Sequence, residues 1–379
     1  NSKKEPEEEE DDDNEDVEEV LHSDAIYLRR IQWPGLNLAY RSQEVMHLMG
    51  DLLKAYQECF TQRFSPLLQP AIGIGSAFEG WSPSGDDTVY QVLLPLKPCP
   101  GYEFHVELGR AEKTPARDGR IHVELECTCS RKKSLCSLHN PEEMIRKRRG
   151  SSFLESLCTD SYLNVQKTVV CFQSFVKSAW ATLPQSHCYK VQLLPSGHSC
   201  KLKLQKASRR TIIIEMLMGM QLADSDIFLC SQDTGAAISS STTWALSCAV
   251  AEMKFFRLAS RQVPHGSCHL RCLYACTRIA QGTCFSTYIF KTVMMHLLAT
   301  TPPSGWSMEN FPQRLDDTMR YLHRCLQEKR LNHFCFGNEN IPGGIVLPLA
   351  FREAQPPNLL QHLQDGDAHT ESLQELKKL

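Results

Sequence analysis

The chain has 379 residues, of which 42% are hydrophobic. This length exceeds what one small core needs and indicates two lobes, or one domain with a tail. The net charge is −3, yet residues 1–20 alone carry −10, so the remaining chain is modestly basic. A basic excess of this size, without aromatic residues among the basic clusters, argues against a nucleic-acid-binding protein.

The first segment, residues 1–22, consists largely of acids and has almost nothing to bury. Such composition is typical of a disordered linker. The alternative is an electrostatic cover that folds over the basic body of the protein.

Cysteine is abundant, with 17 residues, but the number is odd and the spacing fits no small disulfide scaffold. Several cysteines lie inside apolar runs, so we expect reduced thiols packed in a core. No apolar run approaches the length of a membrane span, and no signal peptide opens the chain.

Residues 23–238 have the pattern of a mixed α/β lobe. We predict helices and strands in chain order as follows: helices over 26–30 and 42–64, strands over 89–96, 103–108 and 121–129, a polar excursion over 131–149, a helix over 160–182, and strands over 191–194, 201–204 and 211–220. The last of these strands is the most apolar, so we place it at the centre of the sheet.

Residues 239–352 have helical periodicity, and 353–379 read as a helical tail. The predicted helices cover 244–258, 269–279, 286–299, 308–329 and the stretch from 357 onward. An α/β lobe therefore precedes a helical lobe, with the boundary at residues 235–243.

A glycine-serine turn at Gly75-Ser76 follows an apolar stretch and precedes a strand. Its backbone N–H groups could cradle a phosphate, or the dipeptide could simply make a tight turn. A nucleotide-transferring enzyme also needs two carboxylates two residues apart on that strand, to hold magnesium. The two registers of the strand read Asp86, Thr88, Tyr90 and Asp87, Val89, Gln91. Neither contains acid-x-acid.

One acid, Glu215, lies inside the apolar strand Ile-Ile-Ile-Glu-Met-Leu-Met. A carboxylate in such surroundings is costly unless it is paired or binds a metal. The alternatives are a cleft-facing acid and a salt bridge to a nearby basic residue.

Taken in order, several motifs resemble the Mab-21 group of proteins with a nucleotidyltransferase fold. They are Gly75-Ser76-Ala77-Phe78-Glu79, Trp244-Ala-Leu-Ser247 with Glu252, Cys268-His-Leu-Arg-Cys272-Leu273, Lys291-Thr-Val-Met-Met-His296-Leu-Leu298 and Arg330-Leu-Asn-His333-Phe334. Within that group the chain is most similar to the inositol 1,4,5-trisphosphate receptor-interacting protein-like family. That likeness includes Gly80-Trp81 and the segment from Cys127 to His139.

The resemblance implies a nucleotidyltransferase-like mixed sheet followed by a helical lobe. Without gaps from Gly75-Ser76, the family's catalytic acids fall on Thr88, Tyr90 and Glu215. One acid of three remains, too few for two bridging metal ions. We therefore expect no enzyme activity, and a cleft between the lobes that keeps only the vestige of a ligand site, at Gly75, Ser76, Glu215 and Lys291.

The resemblance further implies a regulator or scaffold that is tethered to a membrane by an anchor outside this chain, with its body in the cytoplasm. Its partner would be a membrane receptor or channel, the inositol trisphosphate receptor, and nucleic acid is not expected. The alternative is a magnesium-dependent nucleotidyltransferase, or a sensor of nucleotides or inositol phosphates that uses the cleft.

No cofactor is expected beyond a structural zinc ion. The four ligands proposed for it lie within 13 residues of one another: Cys127, Cys129, Cys136 and His139. Thiolates and imidazole suit tetrahedral zinc, although the spacing also fits a plain turn at the end of a strand. A second row of thiols, Cys268, Cys272 and Cys276, has helical spacing and reads as a packed stripe rather than a metal site.

Overall fold

The computed structural model describes residues 33–60, 66–109, 117–126, 153–208, 210–233, 240–364 and 366–378. The acidic linker, the helix expected over 26–30, the polar excursion and the four predicted zinc ligands from Cys127 to His139 lie outside these ranges.

Within the described residues, helices frame the sheet at the start of the chain and dominate its second half. They are α1 (Gly35–Phe60), α2 (Gly75–Glu79), α3 (Phe153–Ser156), α4 (Val165–Ala179), α5 (Ala249–Gln262), α6 (His269–Ile279), α7 (Thr287–Thr300), α8 (Phe311–Gln327), α9 (Leu349–Arg352) and α10 (Gly366–Leu376).

The strands belong to one mixed sheet. They are β1 (Leu67–Leu68), β2 (Ile72–Ile74), β3 (Val89–Lys97), β4 (Tyr102–Leu108), β5 (Asp118–Leu125), β6 (Cys158–Thr159), β7 (Tyr162–Leu163), β8 (Tyr189–Leu194), β9 (Cys200–Lys206), β10 (Thr211–Gln221), β11 (Phe228–Cys230) and β12 (Trp244–Ser247).

Strand β10 lies at the centre of the sheet, as its apolar sequence predicts. It pairs in parallel with β3 along one edge, and antiparallel with β9 and then β11 along the other. Its β-branched and apolar residues suit a strand that is covered on both faces. From β11 the sheet continues through β12 to β5, β7 and β6.

The two long helices of the first lobe form for reasons visible in the sequence. Helix α1 buries one stripe of apolar side chains at helical spacing: Val45, Leu48, Met49, Leu52, Leu53 and Tyr56. Helix α4 begins at Asn164, whose side-chain oxygen accepts the N–H of Lys167 at 3.0 Å and caps the first turn. Both helices pack against the large core cluster under the sheet.

One predicted helix is wrong at its start. The stretch expected to be helical over 244–258 begins instead as strand β12, which pairs antiparallel with β11 and β5. Helix α5 starts only at Ala249. The apolar run Trp-Ala-Leu-Ser has no period of its own, so the open edge of β11, rather than local preference, decides its conformation.

Other predictions differ from the structure mainly at their ends. The strand expected over 121–129 runs from Asp118 to Leu125, and the helix expected over 160–182 starts at Val165 after two short strands. Helix α6 has the predicted bounds, 269–279. The stretch 308–329 opens with a 3-10 turn, Met308–Asn310, before α8.

The helical lobe packs against the opposite face of the sheet from α1 and α4. A small apolar cluster joins the two lobes there: Ile74, Leu93, Leu217, Phe228, Cys230 and Val250. The first five belong to the sheet and Val250 to α5. This contact places the N-terminal half of α5 beside the ends of β2, β3 and β10, and so forms one wall of a cleft.

Candidate functional site

A buried ion-pair triad lies where the two lobes meet. The Nζ atom of Lys291 on α7 is 2.6 Å from Oε1 of Glu79 on α2 and 2.5 Å from Oε2 of Glu252 on α5. All three side chains are nearly inaccessible to solvent, with exposures of 6% or less. The lysine therefore binds one carboxylate from each lobe.

One ammonium group faces two carboxylates, so the triad carries an excess negative charge. Burial raises the pKa of Glu79, against the effect of Lys291. Burial would also raise the pKa of Glu252, but Lys291 and His333 outweigh it and the pKa is lowered. Burial opposes the charge of Lys291, yet the two carboxylates raise its pKa. Lys291 and Glu252 thus form the charged pair, and Glu79 is the easier of the two acids to protonate.

Hydrogen bonds extend the triad on both sides. The indole Nε1 of Trp81 donates to Oε2 of Glu79 at 2.7 Å. The hydroxyl of Tyr288 donates to Oε1 of Glu252 at 2.6 Å and lies 2.9 Å from Nε2 of His333. Every oxygen of the two carboxylates therefore has a partner, which is the condition under which buried charge is tolerated.

The triad forms part of the wall of a cavity of about 810 Å³ between the lobes. The α/β lobe contributes Gly75 and Gln91, and the helical lobe contributes Glu252, Lys291 and His333. A cavity of this size is large enough for a nucleotide or an inositol phosphate. The prediction of a cleft between an α/β lobe and a helical lobe therefore has a counterpart in the structure.

Glu215 lies beside the cavity-lining residue Gln91 but is not itself among the residues that line the cavity. It lies opposite Gln91 in the parallel register of β3 and β10. Its carboxylate accepts from Nε2 of Gln91 at 3.1 Å and from Oγ of Ser199 at 2.9 Å. Among the residues that the structure describes, Glu215 forms no salt bridge, and its two oxygens accept from an amide and a hydroxyl instead.

The positions that inherit the family's catalytic acids face away from Glu215. Thr88 and Tyr90 are 2% and 0% exposed, and Tyr90 pairs with Ile214, on the opposite face of the sheet from Glu215 and Gln91. Tyr90 packs edge-on against Phe78 in the large core. The gap-free carry-over from Gly75-Ser76 is therefore out of phase with the strand, since successive residues alternate between faces.

The corrected face of β3 holds no acid-x-acid motif either. Gln91 and Val89 are the strand residues in register with β10 on the face of Glu215. Asp87, which is exposed, precedes them at the end of a 3-10 turn, Gly85–Asp87. Among the side chains that the structure describes, no group of three acidic, histidine or cysteine residues close enough to share a metal includes Glu215. This donor set does not fit the two magnesium ions of a nucleotidyltransferase.

The other residues predicted to form the ligand site are Gly75, Ser76 and Lys291, and they occupy different positions relative to the cavity. Gly75 lines the cavity, with φ of +77°, and a Cβ atom there would lie 2.8 Å from the Gln91 side chain. Only glycine suits that position. Ser76 is half-buried, and its carbonyl accepts the N–H groups of Gly80 and Trp81. Lys291 reaches the cavity wall, but its ammonium group is bound by the two carboxylates.

Sequence reasoning missed the partners of Lys291. In the sequence, Glu79 and Glu252 are identified only as members of family motifs. Glu252 lies in the buried stripe of α5 with Phe255, Phe256 and Ala259. An acid inside an apolar helical stripe is a usable signal, because it requires an opposite charge or a proton.

Comparison with known proteins agrees with this architecture. Residues 270–341 match the family described as Mab-21 protein HhH/H2TH-like domain. With the mixed sheet and the cleft, this defines a protein of the Mab-21 class with a nucleotidyltransferase-like fold.

Relatives of known name extend the match to nearly the whole chain. The chain is 33% identical to inositol 1,4,5-trisphosphate receptor-interacting protein-like 1 of Rattus norvegicus, over 94% of this chain and 68% of the relative. It is 30% identical to inositol 1,4,5-trisphosphate receptor-interacting protein of Takifugu rubripes, over 87% and 66%, and 29% identical to that of Homo sapiens, over 85% and 64%. The chain belongs to the inositol 1,4,5-trisphosphate receptor-interacting protein family.

The predicted location at a membrane is wrong. Across the ranges that the structure describes, no helix has both the length and the apolar character needed to cross a bilayer. The names of the relatives speak of an interaction with a receptor and not of an anchor.

The triad predicts an asymmetric response to substitution. Lys291→Met leaves two buried carboxylates side by side without a cation, and should lower the free energy of unfolding by about 3–5 kcal/mol. Glu79→Gln removes only the excess negative charge and keeps an acceptor for Trp81, so its cost should stay below about 2 kcal/mol. Urea unfolding of the two variants measures the difference.

Lys54→Met, on the exposed face of α1, is the matched control and should change stability by less than about 0.5 kcal/mol. If Lys291→Met is no more destabilising than this control, the triad does not hold the lobes together.

Proposed function

We propose that this protein is a non-catalytic regulator or scaffold that binds a receptor, the inositol trisphosphate receptor calcium channel. The names of its relatives support the partner. One contact carries the proposal that it is not a catalyst: the amide of Gln91 donates to Glu215 at 3.1 Å. A transferase needs further carboxylates next to Glu215 to bind its metal ions, and the amide of Gln91 occupies that position instead.

Lys291 supports the same proposal. A cleft lysine that served a triphosphate would have to present a free ammonium group, whereas this one contacts two buried carboxylates. Removing it from them to bind a phosphate would leave both acids uncompensated, which costs several kcal/mol. The lysine instead joins the lobes and so preserves the shape of the surface that a partner recognises.

The proposal predicts no metal-dependent nucleotide chemistry. Incubation with ATP and GTP, and with Mg²⁺ or Mn²⁺, should give no new nucleotide product by anion-exchange chromatography. Glu215→Ala and the wild-type protein should behave alike, because Glu215 has only structural partners. A product that requires Mg²⁺ and disappears in Glu215→Ala would establish the transferase.

Receptor binding should depend on exposed apolar residues of the helical lobe. Four of these are at least 38% exposed: Ile279, Met308, Val346 and Leu349. Where such side chains fall within a contact, they supply its apolar area. Leu349→Asp should weaken binding to purified receptor about tenfold or more, which corresponds to at least about 1.4 kcal/mol. Biolayer interferometry with immobilised receptor measures it.

The matched control is Leu67→Asp, on the edge strand β1 of the α/β lobe, where the leucine is 45% exposed. It should leave the affinity unchanged. Equal losses in both variants would show a general effect of the new charge, and an unaffected Leu349→Asp would remove this surface from the proposal.

A second candidate function is a sensor of nucleotides or inositol phosphates. The cavity of about 810 Å³ favours it, since Arg117, Tyr288 and His362 supply further polar groups to its wall. Isothermal titration with ATP, GTP and inositol phosphates should then show binding that Arg117→Ala weakens and Arg120→Ala, outside the cavity lining, leaves unchanged. Absence of heat with all of these ligands removes the sensor.

A further inference from the structure

Two cysteines and a histidine converge next to the triad. One ligand atom from each of Cys248, His333 and Cys335 lies within 4.8 Å of the other two. Cys248 immediately precedes α5, whereas His333 and Cys335 follow α8, so the fold brings together segments that are distant in the chain. Both thiols are free and buried, and His333 is half-buried.

We propose that Cys248, His333 and Cys335 bind a zinc ion. Tetrahedral zinc, with bonds of about 2.3 Å to sulfur and 2.0–2.1 Å to nitrogen, places its ligand atoms roughly 3.5–3.8 Å apart. The observed limit of 4.8 Å is within about 1 Å of that spacing. Two thiolates and an imidazole select zinc over the oxygen-preferring magnesium and calcium.

The hydrogen bonds of His333 leave one ring nitrogen suited to a metal. Tyr288 has a single hydroxyl proton, which it donates to Glu252, so its oxygen accepts from Nε2–H of His333 at 2.9 Å. The lone pair is then on Nδ1, which accepts the N–H of Cys335 at 3.2 Å. Zinc at Nδ1 replaces only that long contact.

The Tyr288–Glu252 chain supplies what metal-binding histidines require. A ligating imidazole generally donates its other N–H to an oxygen that in turn is hydrogen-bonded, which holds the ring in orientation. Here Nε2–H donates to a tyrosine whose own proton goes to a carboxylate. These hydrogen bonds form without a metal, so the imidazole of His333 is already oriented for binding one.

The charge of the site also suits a divalent cation. Zinc displaces the thiol protons, and two thiolates then neutralise its two charges in the buried site. The neighbouring triad, with its excess negative charge, does not repel the ion.

Zinc here has an open coordination position on the cavity side. Among the described residues three ligands come together, and both Cys248 and His333 line the cavity between the lobes. Three protein ligands with an exchangeable fourth are the pattern of zinc sites that contact solvent or a small molecule. The ion would therefore connect a ligand in the cavity to the start of α5, through Cys248, and to the segment after α8, through His333 and Cys335.

The test uses cobalt as a spectroscopic substitute for zinc. It is done on the full chain carrying C127S, C129S and C136S, so that the zinc ligands predicted from the sequence contribute nothing. Reduced, metal-free protein titrated with Co²⁺ should develop a thiolate-to-cobalt charge-transfer band that saturates at one equivalent. Excess Zn²⁺ should abolish the band, and zinc should raise the Tm of the protein.

Two further variants assign the ligands. Cys335→Ser should lose the band and the zinc-dependent rise in Tm. Cys230→Ser removes a free cysteine that is also buried, at 1% exposure, and should keep both.

The proposal is overturned if the reduced chain carrying C127S, C129S and C136S, shown to be folded by its circular dichroism spectrum, gives no charge-transfer band with Co²⁺. It is overturned equally if Cys335→Ser binds cobalt as the parent does. The first outcome is measured with all three proposed ligands present, so the proposal can be tested even if Cys335→Ser fails to fold.

Discussion

The contact of Lys291 with Glu79 and Glu252 determines how the two lobes meet. Glu79 belongs to the α/β lobe, and Lys291 and Glu252 belong to the helical lobe. Buried charges are stable only when they are paired in good geometry, so any opening of the lobes at this point would expose an uncompensated charge. The cleft has a defined shape because the wall that carries the triad tolerates little movement. The same wall carries Tyr288 and His333, whose positions follow from the carboxylate of Glu252.

Under the proposed function, this arrangement is what separates the protein from catalysts of the same fold. Phosphoryl transfer needs negative oxygens on the sheet to hold metal ions and positive groups on the other wall to meet the phosphates. Here the sheet presents Gln91 and a hydrogen-bonded Glu215. On the helices, the ammonium group of Lys291 is paired with Glu252. The fold is retained, and the charge of Lys291 is paired with Glu79 and Glu252 inside the protein. A fold of this kind hosts functions that its site, rather than its topology, decides.

Much of the fold could be predicted from the sequence, because its longer elements have clear periodicity. The central position of β10 and the bounds of α6 follow from local pattern alone. Strand β12 could not be predicted, since four apolar residues carry no period and their pairing with β11 is a tertiary effect. The face of β3 was missed because a shift of one residue reverses every side chain. The triad was missed because its members are up to 212 residues apart, although a charge inside an apolar stripe indicates that some partner must exist.

The cysteine pair shows where such long-range chemistry concentrates. Cys248 lies one helical turn before Glu252, and Tyr288 lies one turn before Lys291, so the faces of α5 and α7 that form the triad also carry the thiol and the phenol. His333 joins the two sets through Tyr288. A change in the protonation or ligation of the thiols would therefore alter the field at Glu252, because His333 and Tyr288 link the two by hydrogen bonds and charges interact more strongly where the surroundings are buried. The lobe contact and the site of Cys248, His333 and Cys335 are one electrostatic unit, and the cavity between the lobes is where an external ligand can reach it.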